Sequence, residues 1–157
     1  MAKITTFLTY VDQAEAAATL YTSTFKDSKI TNTTRYGDGA PMPKGTVMTV
    51  EFVLAGQPFV ALNGGPHFKF SEAVSLSVDC ETQAEIDEYS EKLIAGGGAQ
   101  GPCGWVTDRF GLSWQVNPGI LGKMLADKDP AKAARVMQAM MTMHKLDIAA
   151  LKRAYEG

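Results

Sequence analysis

Histidine is scarce in this chain: His67 and His144 are the only two in 157 residues. A three-histidine metal centre is therefore excluded within one chain. A site of two histidines and a carboxylate would need both, yet His144 falls in a peripheral helical stretch. Cysteine is equally sparse. Cys80 and Cys103 stand alone without CxxC spacing, which excludes a disulfide framework and points to reduced thiols in a cytoplasmic protein. Apolar runs fall well short of the roughly 20 residues that span a bilayer, so no membrane partner is expected. A net charge of -2, with acids and bases mixed along the chain, leaves no basic stripe for a phosphate backbone. Nucleic acid is accordingly not an expected partner. Residues 1–4 lead straight into a strand pattern, and no secretory leader is expected.

Hydrophobic residues make up 45% of the chain, normal for a globular protein of one domain or two small halves sharing a core. Residues 4–11 combine β-branched and aromatic side chains and predict a strand. Asp12 is placed to cap an Ala-rich helix over 13–25. A second strand is expected over 30–36, then a Gly- and Pro-rich loop to Gly45, and a hairpin of strands 46–54 and 58–62.

The pattern then restarts. Residues 73–78 alternate, with Val74, Leu76 and Val78 on one face and Ser75 and Ser77 on the other. A helix over 81–95 carries Ile86, Tyr89, Leu93 and Ile94 near helical spacing, and three glycines at 96–98 end it. Strands over 103–107 and 112–117 form a hairpin around Asp108-Arg109-Phe110-Gly111. Strand, Asp, helix, break and hairpin thus occur twice: FLTYVD at 7–12 before an Ala-Glu helix, and SLSVD at 75–79 before another. The second copy is shorter, so one of its strands is expected to be vestigial. Asn117-Pro118 and Asp129-Pro130 read as helix starts, and helices are expected over 131–143 and 147–155. Met137, Met140, Met141 and Met143 make this tail methionine-rich, which suits adaptable packing.

The duplicated β-α-β-β-β order, with NGGPHFKF at 63–70, AVSLSV at 73–78, CGWVTDRFGLSWQ at 103–115 and DPAKAARVMQAM at 129–140, resembles the vicinal oxygen chelate superfamily. That superfamily includes glyoxalase I, bleomycin-resistance proteins and extradiol dioxygenases. Within it the chain is similar to the PhnB-like branch, often labelled a 3-demethylubiquinone-9 3-methyltransferase domain, and the resemblance extends over essentially the whole chain. It implies an α+β fold of two tandem modules whose sheets curl into half-barrels, residues 1–66 and 72–117, followed by a helical tail, 118–157. It also implies a homodimer. The superfamily's metal enzymes take one ligand from the first and last strand of each module. Here those places fall near Thr5, Ala61, Ala73 and Gln115, with Glu72 the one acid nearby. Two alanines and a threonine offer neither imidazole nor anionic oxygen, so no metal and no cofactor is expected.

An unidentified small molecule in the half-barrel is the expected partner. Its candidate pocket residues are Thr5, Phe7, Arg35, Trp105, Trp114 and Gln115. The two tryptophans would stack on a flat ligand or else fill the core. Arg35 would bind a carboxylate or phosphate, or else lie on the surface. Cys103 and His67 are a candidate nucleophile and base, against a packed thiol and a solvent-facing imidazole. Asp108 would point into the cavity or bond its own turn. The glycines at 96–98 follow a helix instead of opening one, the wrong order for a phosphate or dinucleotide loop. Three functions follow: a metal-independent binding protein, an enzyme of lyase, isomerase or transferase type using Cys103 and His67, or a chain whose tail drives assembly.

Overall fold

A computed structural model describes residues 1–157, and the chain divides into two compact units, Met1–Lys69 and Phe70–Gly157. The first unit runs β1 (Thr6–Tyr10), α1 (Ala14–Thr24), β2 (Lys29–Arg35), β3 (Val47–Leu54) and β4 (Gln57–Asn63). Its curled sheet has the order β1-β4-β3-β2, with β1 parallel to β4 and the other pairs antiparallel. Register decides the faces. Leu8 pairs with Ala61 and Ala61 with Val50, while Phe52 pairs with Phe59, so these side chains share one face. All are buried together with Ala14, Ala17, Ala18 and Tyr21 of α1. The small alanines let the helix lie close on the sheet, and Phe52 stacks on Phe59 with centroids 5.5 Å apart.

Asp12 does not cap α1. The cap position is Gln13, whose side chain makes no bond, and the Ala14 N–H instead donates to Asn63 Oδ1 at 2.8 Å. Asn63 also donates from Nδ2 to the Val47 carbonyl, and its own carbonyl accepts from the Tyr36 hydroxyl at 2.6 Å. One buried amide therefore ties the start of α1 and the start of β3 to the end of β4.

The second unit repeats the order: β5 (Ser75–Cys80), α2 (Gln83–Ile94), β6 (Ala99–Gln100), β7 (Trp105–Thr107) and β8 (Ser113–Pro118), in a sheet ordered β5-β8-β7-β6. The shortened strand is β6, only two residues long. Ala73 and Val74 precede the strand in an exposed turn, so Val74 is not part of the buried face expected for it. Thr82 caps α2 by accepting the Glu85 N–H, and the Glu85 carboxylate accepts from Glu81 N–H in return. Gly98 is required by space: a Cβ there would stand 2.5 Å from the Thr107 carbonyl oxygen and 2.6 Å from Ile94 Cα.

The tail forms α3 (Leu121–Leu125), α4 (Pro130–Met141) and α5 (Ile148–Glu156). Pro118 ends β8 and does not open a helix; α3 begins after Ile120. Asp129 caps α4 with Pro130 in its first turn, and Asp147 caps α5. Leu121, Met124, Val136, Leu146 and Leu151 bury together as a small core of the tail. No helix is long and apolar enough to cross a membrane.

Candidate functional site

Each sheet has a face turned away from its helix. In the first unit that face carries Phe7, 57% exposed, with Thr9, Val60, Leu62 and Glu51. Thr5 and Phe7 line a cleft of about 380 Å³ there, with Lys3, Glu51, Pro58 and Val60. Arg35 lies outside it. It is exposed, and its Nη1 donates to the Gly45 carbonyl at 3.0 Å, so it serves the 37–45 loop and not a pocket ligand.

In the second unit the corresponding face is set by β8. Gln115 pairs with Ser77 on one side and with Trp105 on the other, and Ser113 pairs with Ser75 and Thr107. Gln115 Nε2 donates to Ser75 Oγ at 2.9 Å and Asn117 Nδ2 to Ser77 Oγ at 3.3 Å. The result is a half-buried indole beside a row of neutral amides and hydroxyls. Asp79, exposed at the strand's end, is the acid on this face.

Trp114 does not belong to this surface. It pairs with Leu76 and Val106, so it points to the α2 side, where it is 2% exposed among Val116, Ile86 and Leu93. Two tryptophans one residue out of step in an antiparallel pair must face opposite ways. Of the two readings of the tryptophan pair, Trp114 takes the core one, and its place among the pocket residues is thereby corrected. The indole Nε1 of Trp114 donates to Asp108 Oδ2 at 3.0 Å, and Asp108 Oδ1 accepts from the Phe110 and Leu112 N–H groups. Asp108 is thus a buried turn organiser and not a cavity-facing acid.

Cys103 is half-buried in the turn before β7 at φ 55°, and its Sγ lies 3.8 Å from Met141 Sδ, to which it donates. A thioether is no base, so this contact does not activate the thiol. His67 is exposed in the loop after β4, in the other unit, and His144 is exposed in the tail. Cys80 is buried, and burial first, then the charges of Glu85 and Asp79, push its thiol up to about 12.

The four places that the resemblance assigns to metal ligands, Thr5, Ala61, Ala73 and Gln115, hold neither imidazole nor carboxylate. Ala61 has no donor and faces α1 in the core, and Ala73 is an exposed turn residue. The Gln115 amide is neutral and already bonded to Ser75. Among all the residues, no three His, Cys, Asp or Glu side chains are grouped so as to hold a metal ion. Asn63, the amide that organises the first unit, was not singled out from the sequence; its position after a strand and before two glycines was the only signal.

Two β-α-β-β-β modules with curled four-stranded sheets place the molecule in the vicinal oxygen chelate superfamily. Residues 2–117 match the family model described as 3-demethylubiquinone-9 3-methyltransferase, and the chain belongs to that PhnB-like family. A PhnB protein from Bacillus cereus is 39% identical, with a TM-score of 0.66 over 74% of this chain and 99% of that one. Protein PA1353 from Pseudomonas aeruginosa is 22% identical, with a TM-score of 0.59 over 75% of this chain and 98% of that one. The fosfomycin resistance protein FosX from Mesorhizobium loti is 15% identical, with a TM-score of 0.53 over 80% and 98%. The last two likenesses are of fold alone. No curated protein sequence matches the chain. The family match stops at Asn117, so the tail lies beyond it, contrary to the expectation that the resemblance extends over the whole chain.

Proposed function

We propose that this chain is a small-molecule-binding protein whose ligand is held without the divalent metal of its superfamily relatives. The observation that carries the reading is the face of β5, β7 and β8, where half-buried Trp105 stands beside Gln115, Ser75, Ser77 and Asn117. An indole offers a stacking surface to a flat ring, and neutral amides and hydroxyls suit carbonyl or hydroxyl groups without demanding charge. The neutral residues at the four metal positions support the same reading, because a divalent cation prefers anionic oxygen or imidazole. Thr5 and Phe7 in the cleft of the first unit add a second apolar and hydroxyl-bearing surface. The family takes its name from a methyltransferase. The glycines at 96–98 follow α2 and do not form the strand-loop-helix cradle that binds a nucleoside cofactor, so we do not carry that activity over.

An enzyme built on Cys103 and His67 is the alternative. The contact of Cys103 with Met141 gives it no support.

The test is a thermal-shift screen on protein freed of metal by dialysis, with native mass spectrometry on material never exposed to chelator. Planar aromatic compounds should raise the melting temperature and quench Trp105, since ligand at 100 times its Kd adds about 2.7 kcal/mol. Trp105→Ala should abolish both effects. A stoichiometric divalent metal, or stabilisation by Mn²⁺ or Ni²⁺ alone, would sink the metal-free reading. Stabilisation that survives in Trp105→Ala would move the site elsewhere.

A further inference from the structure

The turn that leads into Trp105 is held from outside the family domain. Cys103 and Gly104 are consecutive left-handed residues, at φ 55° and 81°, so their two N–H groups point the same way. Both are taken by the tail: Cys103 N–H donates to the Met143 carbonyl at 2.8 Å and Gly104 N–H to the His144 carbonyl at 2.7 Å. The approach is close enough to need glycine. A Cβ at 104 would stand 2.8 Å from the Val116 carbonyl oxygen and 2.9 Å from Leu146 Cδ1. The other side of this turn is braced by Gln100, whose Nε2 donates to the carbonyls of Gly101 and Trp105.

The tail segment that receives these bonds is itself tied to α2. Gln83 Nε2 donates to the Leu146 carbonyl at 3.0 Å, and Gln83 Oε1 accepts from Ile148 N–H at 2.9 Å. Lys145 Nζ lies 3.3 Å from Asp87 and 3.5 Å from Glu91, both on α2. Leu146 is fully buried in the tail's own core. All four strands of the second unit's sheet lie within Ser75–Pro118, before the tail begins. The tail adds no strand to that sheet, yet two of its carbonyls fix the turn beside the half-buried indole of Trp105.

We infer that residues 143–148 are a positioning clamp: they transmit the rigidity of α2 to the 101–104 turn and so set where Trp105 sits on the open face. The positioning residues are Gln83 and Leu146. The consequence for ligand affinity rests on the reading that Trp105 is the ligand surface, but the clamp itself does not.

The experiment uses the full chain, without ligand. Gln83→Ala removes both bonds to the 146–148 segment from an α2 position whose backbone is otherwise helical. Amide exchange at Cys103 and Gly104 should accelerate by about tenfold or more while the β5 and β8 amides keep their protection. Acrylamide quenching should rise in parallel, and Trp105→Phe in the same background should remove that rise. Gln83→Glu keeps an acceptor for Ile148 and loses the donor to Leu146, so its exchange should fall between the two. Unchanged exchange at 103–104 while α5 loses protection would overturn the clamp. Uniform loss of protection across the second unit would overturn it too, by making Gln83 a general support. Because no ligand enters this measurement, its failure is separate from that of the binding reading.

Discussion

Asp108 is buried with its two carboxylate oxygens divided between the 108–112 turn and the core indole of Trp114. Asp108→Ala should lower unfolding free energy by about 3 kcal/mol in a urea titration, because three donors lose a charged acceptor in a buried place. Asp108→Asn should cost less but not nothing, since an amide nitrogen would face the Trp114 N–H. A loss under about 0.5 kcal/mol for the alanine would refute this role. The two cysteines separate on the same scale. With its thiol pushed up to about 12, Cys80 should resist alkylation at pH 8 in the folded protein, whereas half-buried Cys103 should react. One thiol should titrate before unfolding and two after; Cys103→Ser should leave none accessible. From the sequence, both the turn-bonding and the cavity readings of Asp108 stood open, because an Asp that opens a turn ending in Gly111 carries no local sign of what lies above it.

At the scale of elements, the tail is closed by a contact between the Tyr155 hydroxyl of α5 and the Asp127 carboxylate before α4. That hydrogen bond, then one from the Asp129 N–H, holds the Asp127 carboxyl below its usual value, and the same contact raises the Tyr155 phenol. The signs follow by linkage. Asp127 contributes fully above the ordinary carboxylate value, and its contribution fades as pH falls through the lowered folded value. Tyr155 contributes fully below the ordinary phenol value, and its contribution fades as pH rises through the raised folded value. Protection of the α5 amides should therefore be flat between these limits and decline at both ends. Tyr155→Phe should flatten both declines; an unchanged pH profile in that variant would show the contact to be immaterial. The start of α4 was legible because its signal is local, Asp129 capping beside Pro130, whereas Thr82 and Asp147 cap helices that were expected to begin at 81 and 147. The start of α1 was not legible, because its cap comes from Asn63, 49 positions away.

For the whole molecule, the edges of the sheets bear on assembly. Strand β2 ends its sheet and is exposed along most of its length, leaving backbone groups for another strand or solvent. We propose a homodimer, as the resemblance to the superfamily implies, and a cytoplasmic setting, as the two unpaired cysteines suggest. Light scattering on the intact chain should give twice the 16.9 kDa chain mass. A monomeric mass at micromolar concentration would dismiss the proposal. If the tail drove assembly, charged substitutions at exposed Met137 and Met141 would yield monomer; an unchanged dimer would assign the interface to the modules.

By itself the sequence determined the repeated β-α-β-β-β order, the helices with local caps, the glycine stop at 96–98 and the poverty of metal donors. Each of these depends on neighbours within a few residues or on composition. Only the tertiary structure decided that Trp105 and Trp114 face opposite ways, that Asp108 is spent on a turn, that Arg35 serves a loop, and that the tail holds the 103–104 turn. The two tryptophans and Asp108 depend on strand register and on which side chains the hairpin brings over the turn, Arg35 on the course of a ten-residue loop, and the hold on the 103–104 turn on partners about 40 positions away. A one-residue shift in register reverses every side chain on a strand, and no local pattern records which shift the packed core selects.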